Sequence, residues 1–178
     1  MNTRKKSLNK ILIILLFLSF CYVYLSNIGT VSIYVEQSKE TKPVGEILSG
    51  IEIGQSFYSS ANNICGISFK LATYMRLNKG KIQIGIKDMG SNDVVFISDV
   101  STESIKDNEY LDLKFPPIKF SKGKHYYIFI KSLNGTPGNA ITAYMNEEDQ
   151  YKEGDMYLNG TKKTGDLVFK VYYNNTFF

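Results

Sequence analysis

The 178-residue chain has one histidine, two cysteines and no tryptophan, which leaves too few soft ligands for a zinc centre. Its formal net charge is +4, but four of the 21 basic residues fall in the first ten positions and all 17 acids follow residue 35. The rest of the chain is therefore neutral, and a basic groove for nucleic acid is excluded.

Taken in order, the chain opens with Arg4, Lys5, Lys6 and Lys10 and no acid, then runs apolar over residues 11–25, or to Ile28 if Ser26 and Asn27 are included. A basic stretch ahead of an apolar one begins a signal peptide or a signal anchor. Eleven of the 15 residues are Ile, Leu, Phe or Val, and at their insertion energies they favour the bilayer by about 3 to 7 kcal/mol. The run is short for a span, which wants about 20 residues. Tyr24, Leu25 and Ile28 obstruct a small-residue cleavage site, and Phe20 ahead of Cys21 spoils a lipoprotein site. An uncleaved single-pass anchor with a cytoplasmic N-terminus is expected, with a cleaved signal peptide and secretion as the alternative.

From Thr30 onward the pattern is period two, the mark of half-buried strands. Residues 31–35, 44–48, 51–58 and 94–98 read as strands, as do 140–145 and 156–158. Ile67, Phe69 and Leu71 alternate with Ser68 and Lys70; Ile82, Ile84 and Ile86 do so with Gln83 and Lys87. Leu111, Leu113 and Phe115 form another set, and Leu167, Phe169, Val171 and Tyr173 the last. The run Tyr126, Tyr127, Ile128, Phe129, Ile130 is apolar or aromatic on both parities, which predicts a central strand. Turn-rich breaks separate about ten strands with no helical period, which predicts a sandwich or barrel. The expected layout is a leader and anchor at 1–28, a short linker or edge strand at 29–43, one β domain at 44–174 and a tail at 175–178. Cys65 stands alone in that domain, so no disulfide closes within it.

Catalytic parts are scarce. His125 opens the Tyr126 strand without a flanking nucleophile motif, and no Asp or Glu sits in an apolar context suited to a glycosidase pair. The chain is not expected to be an enzyme. Calcium has two candidate groups, Asn146-Glu147-Glu148-Asp149 and the trio Asp88, Asp93 and Asp99. Neither has the spacing of a known calcium loop, and solvated acidic turns are the plainer reading. No other cofactor is expected.

Thirteen Tyr and eleven Phe make aromatics the most suggestive feature. A tyrosine ring stacks on a sugar while its hydroxyl hydrogen-bonds, although most strand tyrosines only pack against their neighbours. Tyr74, Arg76 and Asn78 share one polar-aromatic loop, which Asn139, Tyr144, Tyr157 and Asn159 are expected to join from later loops.

Several stretches carry a resemblance: Gly54-Gln55-Ser56-Phe57, then Thr73-Tyr74-x-Arg76-x-Asn78-x-Gly80 and Phe115-Pro116-Pro117-Ile118. Gly138-Asn139-Ala140-Ile141-Thr142, Asn159-Gly160 and Gly165-Asp166-Leu167-x-Phe169-Lys170 follow. Together they resemble a bacterial extracytoplasmic jelly-roll domain similar to carbohydrate-binding modules (galactose-binding-like), of the type appended to membrane glycosyltransferase or polysaccharide-assembly proteins. The resemblance implies an all-β, two-sheet antiparallel jelly-roll sandwich, here preceded by one N-terminal transmembrane helix. Its implied partner is a cell-envelope polysaccharide or a membrane protein. On this reading the chain departs from the large fused proteins in its single anchor and want of a catalytic domain, and from many sugar-binding modules in lacking surface tryptophans.

The anchor reading sets a mass. Protein extracted from membranes is expected to weigh as all 178 residues, whereas a loss of roughly 25–28 residues means that the leader is a cleaved signal.

Overall fold

A computed structural model describes residues 2–25 and 28–176. Ser26 and Asn27, by which the apolar run was extended, and the last two residues of the expected tail lie outside the described residues.

The apolar run is part of helix α1 (Asn2–Leu25). Within it, Ser7–Leu25 is long and apolar enough to cross a membrane, and none of it is buried against the rest of the chain. At 1.5 Å per residue its 19 residues reach roughly 28 Å, close to the hydrocarbon thickness of a bilayer. A helix that is apolar all round is built for a wholly apolar surround, whether protein core or lipid.

Thirteen strands follow among the described residues: β1 (Gly29–Gln37), β2 (Lys42–Pro43), β3 (Glu52–Ser59), β4 (Ile64–Ala72), β5 (Lys81–Asp88), β6 (Val94–Ser101) and β7 (Glu109–Ile118). The remainder are β8 (Lys124–Ser132), β9 (Thr142–Asn146), β10 (Met156–Leu158), β11 (Thr161–Lys163), β12 (Asp166–Leu167) and β13 (Phe169–Thr176). They make two antiparallel sheets. One runs β11-β10-β3-β8-β5-β6, which puts the aromatic strand β8 between β3 and β5, as its double-sided pattern predicts. The other is built on β4, with β7 on one edge and β13, then β1, on the opposite edge. Strand β9 enters the fork where β4 and β12 part. Its first residues pair with the end of β4 (Leu71 with Ala143), its last with β12 (Asp166 with Asn146).

Alternation decides which side chains meet between the sheets. Ile53 and Phe57, Ile82, Ile84 and Ile86, and Tyr126, Ile128 and Ile130 point inward from one sheet. Ile67, Phe69 and Leu71, together with Leu167, Phe169 and Val171, come from the other. All of these are essentially inaccessible to solvent. Each large apolar side chain so buried contributes about 1.5–3 kcal/mol. Strand β7, an outer edge, carries Pro116 and Pro117, which cannot donate to a further strand.

Two expectations change. Residues 44–48 are not a strand: Gly45 sits at φ +100°, Val44 N bonds to Ala143 O in β9, and Ile47 N bonds to Ile141 O just before β9. Strand β11 escaped notice because Thr161, Lys162 and Lys163 are all exposed and polar, so no alternation marks them.

One polar contact crosses the core. Gln55, on β3 and fully buried, donates from Nε2 to Asp166 Oδ1 at 2.9 Å and accepts at Oε1 from Leu167 N at 3.0 Å. The second oxygen of Asp166 takes the amides of Gln150 (2.7 Å) and Tyr151 (2.8 Å). Burial pushes the Asp166 carboxyl above its usual range, against the pull of these donors. Replacing Gln55 by leucine keeps the volume but strands one amide and one carboxylate oxygen in the core. At about 1–3 kcal/mol per buried unsatisfied group, Gln55→Leu is expected to destabilise the domain by roughly 2–5 kcal/mol in denaturant unfolding. A loss below about 1 kcal/mol contradicts this account.

Candidate functional site

The expected loop forms at the end of the sandwich where β4 stops. Tyr74 and Met75 both adopt left-handed backbone at φ +57°, a conformation that costs a non-glycine residue about 1–2 kcal/mol. Asp107 holds the turn, accepting from Thr73 N at 2.5 Å and Thr73 Oγ1 at 3.0 Å. The Thr73 amide above all, with the Thr73 hydroxyl and the Met75 and Tyr74 amides adding, keeps the Asp107 carboxyl below its usual range. Arg76 pairs with Glu46 at 2.6 Å, donates to Ala140 O at 3.1 Å and lies 4.8 Å from the Tyr74 ring centre. The Arg76 hydrogen bond is the main cause that lowers the Glu46 carboxyl. Asn78 is buried and donates to Thr73 O, while Asn139 grips the Lys79 backbone from both sides, at 2.7 and 2.9 Å. Tyr74, Arg76, Asn78 and Asn139 therefore come together, but the amide and guanidinium groups serve largely to build the turn. What the turn displays is apolar: Met75 is 92% exposed and Leu77 72%.

Tyr144, Tyr157 and Asn159 do not join that loop. Tyr144 lies on the outer face of the β4 sheet, its hydroxyl on Asn108 and Lys70 over its ring. Much of that face is taken up by paired charges and rings. Lys170 meets Glu36 and covers Tyr110, Lys70 meets Glu40, and Tyr172 donates to Asp112. Asn159, at φ +49°, ties the β10–β11 turn to Glu52 through its own amide and its side-chain oxygen.

Tyr157 belongs elsewhere, to the outer face of the β3 sheet. There β3 places Gly54 opposite Phe129, and β5 places Gly85 opposite the same residue. A Cβ on Gly54 would intrude on the Tyr127 ring, and one on Gly85 would stand 2.7 Å from Phe129 Cζ, so both rings lie down on bare backbone. Tyr127 and Phe129 are near parallel, with centres 6.1 Å apart, and Tyr157 meets Tyr127 edge-on at 5.6 Å. Lys87 Nζ sits 4.4 Å over Phe129, and Glu52 Oε1 accepts from the Tyr127 hydroxyl at 3.3 Å. Burial, then the Glu52 charge, drives the Tyr127 hydroxyl far above its ordinary pKa, so it stays a donor. Glu52, Lys87, Tyr127 and Tyr157, with Met89, Asn92 and Gly160, line a hollow of about 330 Å³.

Sequence reasoning found only Tyr157 of this group. The available signals were Gly54 and Gly85, isolated glycines inside strands, which mark close approach, beside a strand with aromatics on both parities.

The two acidic groups considered for calcium do not assemble. Glu147 pairs with Lys42, Asp149 with Lys152 and Asp88 with Lys124, while Asp99 accepts from Gln83. Among the described residues no three His, Cys, Asp or Glu side chains converge as a metal needs. His125 is exposed and its ring stands against Tyr58, 5.1 Å between centres. Cys65 is buried, and burial raises its thiol pKa.

No family model and no curated protein matches the sequence. In fold, the chain is similar to the structure of the cysteine protease and lectin-like domains of Cwp84, a surface layer associated protein of Clostridium difficile. The TM-score is 0.53 at 8% identity, over 82% of this chain and 36% of that one, so this chain spans about a third of that structure. Two carbohydrate-binding modules align at lower scores. A family 36 module in complex with calcium and xylotriose does so at 0.33 (15% identity, 73% of this chain, 99% of that one). A family 35 module from an environmental isolate does so at 0.35 (10% identity, 74% and 88%). Scores this low carry no argument, and the first likeness shows the β-sandwich fold alone.

The Tyr74–Met75 turn makes a pH-dependent prediction. Asp107 and Glu46 have lowered folded pKa values, so their support is complete above the ordinary carboxylate value, near 4, and is lost as pH falls through the folded values. Relative to the intrinsic rate, which itself falls with pH in this range, exchange at Thr73 should become faster on acidification below that point, ahead of exchange in β4. Asp107→Asn should show the faster exchange already at neutral pH, and unchanged exchange in that variant counts against the role given to Asp107.

Proposed function

We propose that this protein is a membrane-held, extracytoplasmic, non-catalytic module that binds a cell-envelope glycan on the outer face of the β3 sheet. The observation that carries the reading is the aromatic hollow formed by Tyr127 and Tyr157 beside Glu52 and Lys87. Sugars present an apolar C–H face and a rim of hydroxyls. Flat tyrosine rings serve the first, and a carboxylate, an ammonium and phenolic hydroxyls serve the second. In this reading α1 stays as a single-pass anchor in the cell membrane with its N-terminus in the cytoplasm; cleavage would make the module a secreted one.

A second reading, a protein-interaction accessory subunit of a membrane glycosyltransferase or polysaccharide-assembly complex, is favoured by one feature. The strained turn that displays Met75 and Leu77 is braced by Asp107 and Glu46 rather than relaxed into solvent. Strain that the surroundings uphold points to use.

Titration of the detergent-solubilised full chain with envelope polysaccharides separates the two. Glycan binding should fall about tenfold or more in Tyr157→Ala, equivalent to about 1.4 kcal/mol or more. Binding should be unaffected by Met75→Ser. Loss of binding in Met75→Ser alone, or no binding to any polysaccharide, removes the sheet-face site.

A further inference from the structure

The end of the sandwich opposite the Met75 turn has a feature of its own. There the helix passes into the sheet with almost no slack: Ile28 N still donates to Tyr24 O at 3.2 Å, and Gly29 already pairs with Thr176. Three residues between Leu25 and Gly29 allow at most roughly 14 Å of separation, even fully extended. From Thr176 an unbroken series of bonds leads to one turn. Asn63 Nδ2 donates to Thr176 Oγ1 at 3.0 Å, and Asn174 N to Asn63 O at 2.9 Å. Ser121 Oγ then donates to Ala61 O at 2.9 Å, and Lys122 N to Asn62 Oδ1 at 3.0 Å. The turn at residues 119–123 therefore sits beside the point where the helix enters.

At its tip Phe120 is 81% exposed and held at φ +57°, while its neighbour Ser121 is fully buried. A left-handed phenylalanine left four-fifths exposed gains little burial in return for its strain. Lys119 and Lys122 flank it, exposed, and neither has a carboxylate partner among the described residues; Lys124 is taken by Asp88 at 2.8 Å. An aromatic wedge between two free ammonium groups suits the boundary between phosphate headgroups and acyl chains.

We propose that the 119–123 turn is a second membrane contact, with Phe120 seated at the headgroup boundary and Lys119 and Lys122 on anionic lipid. The proposal rests on α1 remaining as the anchor, and the two together fix how the domain stands on the bilayer rather than only that it is attached.

The chain has no tryptophan, so Phe120→Trp supplies a single reporter at a site where the side chain is already outside the core. The full-length variant is placed in phosphatidylcholine vesicles containing phosphatidylglycerol. Its emission is expected to shift to the blue, with quenching by brominated lipid roughly twofold or more beyond that of Met75→Trp at the far end of β4. Adding Lys119→Glu and Lys122→Glu should reduce that quenching. If Phe120→Trp is quenched no more than Met75→Trp in protein that stays with the vesicles through alkaline carbonate washing, the contact is overturned and the anchor stands. Release of the protein by the wash overturns both.

Discussion

The two sheets of this domain are held in one relative position by the side chain of Gln55. Apolar packing alone tolerates small slips, because isoleucine and phenylalanine side chains can interdigitate in more than one way. An amide that must donate to Asp166 Oδ1 and accept from Leu167 N cannot slip without leaving both groups unpaired. The same Asp166 carboxylate fastens the chain at Gln150 and Tyr151, just before β10. Because β10 brings Tyr157 to the β3 sheet, the position of one wall of the hollow descends from this buried contact.

Glycine plays the complementary part on the outside. Gly54 and Gly85 give up side chains so that Tyr127 and Phe129 can lie against the sheet rather than stand away from it. The rings then present faces rather than edges, and Lys87 can bridge above them. The weakening that an interior glycine brings to a strand is offset by the aromatic laid across it.

Much of the architecture was legible in the sequence. Period-two runs such as Ile82, Ile84 and Ile86 give both the strand and its buried face, and the unalternating Tyr126 to Ile130 run gives the central position. Less was legible where burial does not alternate, as at β11, or where a glycine at positive φ turns the chain, as at Gly45 in residues 44–48. The site was harder for a different reason. Tyr74, Arg76 and Asn78 are neighbours in sequence and drew notice as a motif, yet their polar groups are spent on the turn. Glu52, Lys87, Tyr127 and Tyr157 lie on four strands, and only the registers of β3 with β8, β8 with β5 and β3 with β10 bring them together.

The direct passage from α1 into β1 has a mechanical side. Strand β1 runs from Gly29 toward the far end of the sandwich and is paired along its length with β13. When α1 and the domain are pulled apart, tension enters at Gly29 along the strand rather than across it. The hydrogen bonds to β13 are then loaded together in shear instead of one at a time in peeling. A domain joined to its helix in this way resists a pull directed along the axis of β1.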